Sequence, residues 1–263
     1  MGRLGTLLAL VVSSVVVILS LTTCGIETVT TLQPPLFTNP SNNLLSLTHN
    51  TSNSDSNSLK GYEIYYRAFQ TQTNADAART AIEQATATTT SSPETVLALM
   101  VSSGFTRMYD ANGYDGANGT RPLFAVASSE ITTAVTYQLI LDSTIPPSFD
   151  VTLSGSPAPS SSVVSYWYYT RSPSYSNLTS ASKVAVSRSI STPSSPVSFE
   201  STYSPTDVDY NGTTGEGPSS PFFYVFFAVA YGLDTSSGSF SFLYSFPTSL
   251  YTSIAYTLPS NVQ

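Results

Sequence analysis

Charge is what this chain of 263 residues has least of: Asp, Glu, Lys and Arg make up 10% of it, against roughly a quarter in an ordinary soluble domain. Nine basic and sixteen acidic side chains leave a net charge of −7. No run of Lys or Arg offers the footprint that phosphate backbones need, which argues against nucleic acid as a partner. The same balance argues against adhesion to anionic headgroups. Cys24 is the only cysteine, so no disulfide can form within the chain, and stability outside a cell must come from packing. One histidine, His49, supplies no second imidazole for a zinc site. A serine triad would have to use it, and no G-x-S-x-G elbow presents the serine. His49 therefore reads as a structural or surface residue. Sixteen acids permit carboxylate pairs of the glycosidase kind but specify none. The residues point away from an enzyme.

Ser, Thr and Asn fill the polar positions instead. Seventeen Tyr and thirteen Phe favour pleated, half-buried surfaces over helices, and they are too frequent for a disordered chain. The length suffices for one large domain or two small ones with a sizeable core.

The first two dozen residues divide as a secretory leader does. Arg3 gives a minimal positive start, Leu4 to Leu21 is an apolar stretch, and Leu21-Thr22-Thr23-Cys24-Gly25 follows. A bacterial lipobox asks for an aliphatic residue three before the cysteine and small residues between. Leu21 fits, whereas Thr23 departs from the preferred Gly, Ala or Ser. The expectation is cleavage before Cys24, with diacylglycerol on its thiol and two or three acyl chains holding the protein durably. A plain signal peptide and an uncleaved membrane anchor are the alternatives. Loss of Arg3 with the leader would leave eight basic against sixteen acidic residues, a mature charge of −8. Residues 1–23 are thus read as signal peptide, 24–40 as lipidated N-terminus and tether, and 41–263 as the folded domain.

Within that domain, Pro34-Pro35 suits an extended approach to an edge strand, and Asn43 to His49 reads as a short strand. In Gly61 to Phe69, GYEIYYRAF, period-two alternation puts Tyr62, Ile64, Tyr66 and Ala68 on one face. Glu63, Tyr65 and Arg67 share the other, expected to be the wetter one. Asn74 is read as the N-cap of a helix running to about Gln84. Ser92-Pro93-Glu94 signals a second helix start, with Val96, Leu97, Met100 and Val101 as its apolar face and Gly104 as its stop. Strands are expected at 105–109, 123–127, 131–141, 163–170, 183–190 and 197–203. Phe222–Tyr231, FFYVFFAVAY, is nearly continuous and suits a strand covered on both faces. Phe240–Phe246 and Leu250–Leu258 close the fold.

Asp207, Asp209 and Asn211, followed by Gly212, reproduce the first half of an EF-type calcium loop. Pro218 stands where the bidentate Glu belongs, with Glu216 as the only substitute; the plain alternative is a set of Asx-type turns. Asp110, Asn112 and Asp115 form a weaker version. Asn50, Asn118, Asn177 and Asn211 lie in N-x-S/T sequons, which a bacterial lipoprotein would leave bare. Tyr65-Tyr66 and Tyr166-Trp167-Tyr168-Tyr169 could be sugar or protein platforms, although strand alternation sends neighbours to opposite faces and favours core packing.

The pieces LTTCGIE, LQPP, GYEIYYRAF and FFYVFFAVAYGLDTSSGSFSFLYSFPTSL resemble uncharacterised lipoproteins of spirochaetes (Treponema-like). The strand pieces at residues 33–69 and 221–250 also resemble a fibronectin type III sandwich, with Tyr224 to Tyr231 as its Y-x-F-x-V-x-A strand and Ser245-Phe246-Pro247 beyond the turn. The resemblance implies a mainly β fold: a fibronectin type III-like antiparallel β-sandwich with a long insertion at about 70–221 containing two short helices and extra strands. It brings no catalytic or cofactor residues. The expected function is that of a lipid-anchored, extracytoplasmic envelope lipoprotein on the inner or outer membrane, serving as a structural part or binding an envelope protein or glycan. An envelope glycan hydrolase using Asp and Glu alone and a calcium-dependent adhesin are the alternatives.

Overall fold

The computed structural model describes residues 31–41, 44–54, 58–88, 90–110, 122–126, 131–132, 134–140, 148–153, 168–170, 183–190, 196–198, 203–213, 221–234, 240–249 and 254–257. All lie in one compact unit, Thr31–Gln263. It is mainly β, with antiparallel sheets and two helices.

Along the chain, β1 (Leu36–Ser41) leaves directly from Pro35, and β2 (Leu44–Thr48) returns beside it. Next come β3 (Leu59–Phe69), α1 (Gln72–Ala87) and α2 (Pro93–Ser102). Short strands follow: β4 (Thr106–Arg107), β5 (Tyr109–Asp110), β6 (Phe124–Ala125), β7 (Val135–Ile140), β8 (Ser148–Leu153) and β9 (Tyr168–Thr170). Then come β10 (Lys183–Ser189), β11 (Pro196–Ser198), β12 (Tyr210–Asn211), β13 (Pro221–Asp234), β14 (Ser241–Tyr244), β15 (Thr248–Ser249) and β16 (Ile254–Thr257). One sheet has the order β1-β2-β7-β8, with β1 at its edge as the Pro-Pro approach requires. A second is β11-β10-β5, with β9 also on β10. The largest runs β12-β3-β13-β14, with β4 and β6 on β3 and with β15 and β16 on β13.

The antiparallel pair β3–β13 is the spine, in register from Phe69↔Phe223 to Gly61↔Tyr231. Tyr62, Ile64, Tyr66 and Ala68 all lie in the core, as alternation predicts, and meet Tyr224, Phe226, Ala228 and Ala230. Leu32, Leu47 and Tyr203 close that side. On the reverse side Tyr65, Phe69, Val225, Phe227 and Val229 pack against Ala75 and Ile82 of α1 and Val96, Leu97 and Met100 of α2. Burial on both faces is why β13 lost its polar alternation. It also corrects one expectation. The Glu63–Tyr65 side is not the wetter one, because the two helices close over it and Glu63 is 0% exposed.

Strand β3 would have a bare second edge, an invitation to foreign pairing. Short segments cover it instead: β6 on Gly61–Tyr62, β4 on Tyr65–Tyr66 and the parallel β12 on Ala68–Phe69. Between them Met108 donates its N–H to the Ile64 carbonyl at 2.8 Å. The expected single strand 105–109 is accordingly split around Met108 into β4 and β5.

Gly61 makes the first contact possible. It sits at φ +152°, and a Cβ there would lie 1.9 Å from the Phe124 carbonyl oxygen. Gly61→Ala should therefore destabilise the unit by roughly 2–3 kcal/mol through backbone strain and overpacking. Urea unfolding would measure it, and a loss below about 0.5 kcal/mol, the scale of an ordinary surface change, would contradict the close approach.

Helix α1 starts three residues earlier than expected. Thr71, not Asn74, is the N-cap, and its side chain accepts from the Asn74 N–H. In α2 the Ser92-Pro93-Glu94 start is as expected, with the Ser92 side chain accepting from the Thr95 N–H. Gly104 ends it at φ +85°, the left-handed conformation that glycine tolerates. Val101 is turned out of the apolar face and is 51% exposed.

Candidate functional site

Strand β10 contributes Arg188. Arg188 is 0% exposed. A buried guanidinium must find partners or lose its charge, and the turn before β12 supplies them. Arg188 Nε donates to Asp209 Oδ2 at 2.9 Å and Nη2 donates to Asp209 Oδ1 at 2.8 Å, a bidentate fork. Nη2 also donates to Asp207 Oδ2. The guanidinium lies over the Tyr203 ring, 3.5 Å from its centroid. From β3, the Tyr66 hydroxyl donates to Asp209 Oδ2, and the Tyr203 and Tyr224 hydroxyls share a hydrogen bond of 2.7 Å. Burial opposes the charge on Arg188, but Tyr203, Asp209 and Tyr66 outweigh it and hold the pKa above the usual arginine value.

The turn itself is built locally. The Asp207 N–H donates to the Ser204 carbonyl at 2.9 Å, and Asp207 Oδ2 accepts from the Ser204 N–H at 3.0 Å. The Asp209 carbonyl accepts from the Ala68 N–H at 2.9 Å, stitching the turn to β3. Asp207 and Asp209 are thus brought together as the sequence suggests, but around a guanidinium. Asn211 lies in β12 opposite Phe69, and its carbonyl accepts from the Gln70 N–H. A calcium ion at this loop would have to draw both carboxylates off Arg188 and leave it buried and unpaired. Among the described residues, no group of three or more His, Cys, Asp or Glu side chains could hold a metal ion.

A second buried charge pair lies on the helix side of β3. Arg107 Nη1 donates to Glu63 Oε1 at 3.0 Å and the Tyr65 hydroxyl donates to Glu63 Oε2 at 2.9 Å. Nearby, Arg67 donates to the Ser103 carbonyl at the end of α2, where a cation complements the helix dipole. Burial lowers the Arg67 pKa from its usual value, with the Asp209 charge opposing.

His49 is buried and braces two segments: Nε2 lies 2.8 Å from the Ile131 carbonyl and Nδ1 lies 2.7 Å from the Tyr62 hydroxyl. A carbonyl can only accept, so Nε2 carries the proton and, in a neutral ring, Nδ1 accepts from Tyr62. The Tyr62 oxygen accepts in turn from the Asn50 N–H at 3.0 Å. Asn50 spends its amide on the Pro34 carbonyl and its oxygen on the Ser52 N–H, which makes it a turn-building residue.

Burial pushes the Tyr62 hydroxyl up to about 12 and raises the fully buried Tyr203 well above its usual value, with Arg188 opposing. A raised tyrosine pKa means the folded state keeps a proton that the unfolded state releases. Stability from these groups is therefore complete below pH 10 and drains away as pH climbs toward 12 and beyond. The gap at Tyr62 alone amounts to roughly 3 kcal/mol at its upper end. Alkaline titration should show a set of tyrosines that ionise only with unfolding. Every tyrosine titrating smoothly near pH 10 with the fold intact would contradict this.

Among the described residues, the buried carboxylates are held by their neighbours. Both oxygens of Asp209 and both of Glu63 are engaged. Arg188, Tyr203 and Tyr66 carry no recognisable motif. Tyr65 and Tyr66 are both buried on opposite sides of β3, not an exposed platform. Cys24, Asn112, Asp115, Asn118, Tyr166, Trp167, Asn177, Glu216 and Pro218 lie outside the described residues. No family model, curated protein or solved structure matches the chain.

Proposed function

We propose that the chain is a bacterial envelope lipoprotein, anchored through lipid on Cys24 and presenting an extracytoplasmic β module that binds an envelope protein or glycan or serves as a structural part. The carrying observation is Leu21-Thr22-Thr23-Cys24 at the end of the apolar stretch 4–21, just ahead of a compact unit that begins at Thr31. The engaged carboxylates of Asp209 and Glu63 suit a structural role.

The strand pairings favour a fibronectin type III-like plan. In a sandwich of the immunoglobulin kind, strands A, B, E and D form one sheet and C, F and G the other. Here β1-β2-β7 take the places of A, B and E, and β3-β13-β14 those of C, F and G. Strand β8 holds the place of D, although it follows β7 in the chain where D would precede E. Helices α1 and α2 are an addition, laid over the outer face of the C-F-G sheet.

Metabolic labelling with a palmitate analogue tests the anchor. The wild-type chain should carry label and partition into detergent, and Cys24→Ala should do neither. An unlabelled wild-type chain refutes it.

A further inference from the structure

We propose that Phe240 and Phe242 form a second, apolar contact with the lipid bilayer, at the end of the β module from which the anchor emerges. The inference rests on the lipid anchor at Cys24. Its starting point is the path of the chain just after that anchor. Leu32 is buried in the core with Leu59 and Leu47. Its Cδ1 lies 3.0 Å from where a Cβ on Gly232 would sit. Leu32, the second residue of the folded unit, therefore lies at the Gly232 end of β13.

The same end carries the two most exposed large apolar side chains among the described residues, Phe240 at 82% and Phe242 at 58%. Gly232 pairs with Leu243, Leu233 with Phe242 and Asp234 with Ser241, so Phe240 lies just beyond the last pair. Alternation puts Phe240 and Phe242 on one face of β14. Phe242 contacts the Tyr231 ring at 5.9 Å between centroids, and Tyr231 contacts Tyr244 at the same distance. Two phenyl rings thus project from an aromatic base that holds their strand in place.

Reach decides the occupant. Seven residues, 25 to 31, separate Cys24 from Leu32, so a fully extended tether spans about 28 Å at most. Phe240 lies only about 10 Å along the strand from the level of Gly232, whereas the Pro221 end lies about 36 Å away. The Phe240 tip can settle on the surface with slack to spare; the opposite end reaches it only if the unit lies flat. The contact is apolar rather than electrostatic, because the mature charge is negative and Asp234 stands beside Ser241. Phenyl groups buried at the headgroup and acyl boundary need no anionic lipid. The neutral phosphatidylcholine surface is accordingly the fitting probe.

The test uses the full chain, made in a host that processes lipoproteins and reconstituted into phosphatidylcholine vesicles with brominated acyl chains. Trp167, the one native indole, is removed by Trp167→Phe. A reporter is introduced by Phe240→Trp, or by Leu99→Trp as a control. Leu99 adjoins Ser103, whose carbonyl holds Arg67, and Arg67 faces Val225 far from Gly232. Mass spectrometry first establishes acylation of Cys24 in each preparation. In the acylated protein the Phe240→Trp reporter should shift to the blue and lose most of its emission to bromine, with little change on adding salt, while the Leu99→Trp reporter stays unquenched. An acylated chain with both reporters unquenched overturns the contact and leaves the anchor standing. A chain without acyl groups overturns both.

Discussion

Replacing Arg188 by methionine should cost the fold about 3–5 kcal/mol, because removal of one partner strands a buried countercharge. The loss is larger than the worth of the pair itself. Arg188 is held by both oxygens of Asp209, one of Asp207 and the face of Tyr203, and its removal leaves two carboxylates facing an apolar residue. Arg188→Lys should also be costly, since an ammonium cannot reproduce the planar fork or stack on the ring. Arg188→Met with Asp209→Asn should recover a substantial part, giving a coupling energy of roughly 1–3 kcal/mol between the two sites. Urea unfolding of the four proteins of that cycle measures it. Additive losses would mean that the guanidinium and the carboxylate do not depend on each other, and the cluster would lose its role as the link between β10, the turn before β12 and β3.

A loss of similar size, about 3–5 kcal/mol, should follow Phe227→Ala, the range for deleting a fully buried phenyl ring. Phe227 lies at the centre of β13 on the helix side, with Phe105 edge-on at 5.3 Å and β3 and β15 on either side. The hole opens between the sheet and α1–α2, and rigid strand pairing on both edges keeps the sheet from collapsing into it. Leu99→Ala, on the exposed face of α2, should change stability by no more than about 0.5 kcal/mol. Equal effects at the two positions would refute the helix layer as a second core.

Where the sequence was legible, the information was local. Tyr62, Ile64, Tyr66 and Ala68 alternate against polar neighbours and share one side of β3; FFYVFFAVAY does not alternate and is buried on both. Ser92, Pro93, Glu94 and Gly104 bracket α2 because caps act within one turn. Where it was not, the cause was distance along the chain. Nothing near Tyr66 announces Asp209, and only the parallel pairing of β12 with β3 brings them together. The Glu63 side looked wet because its cover, α1 and α2, comes from segments with no marker of where they dock. Thr71 competes with Asn74 as a cap within one stretch of cap-forming residues, so local signals do not place the first turn. Asp150 breaks the apolar character of Ser148–Leu153 and hides this strand in the sequence, although Phe149, Val151 and Leu153 alternate. Two-residue strands such as β4 and β12 exist only because β3 offers them an edge.

The anchor on Cys24 decides whether the β module works at a membrane surface at all, and mass spectrometry of the native N-terminal peptide tests it most directly. The expected peptide begins at Cys24 and carries diacylglycerol on the thiol, with or without an acyl group on its amine. An unmodified Cys24, or a chain still bearing residues 1–23, would contradict the lipoprotein reading outright.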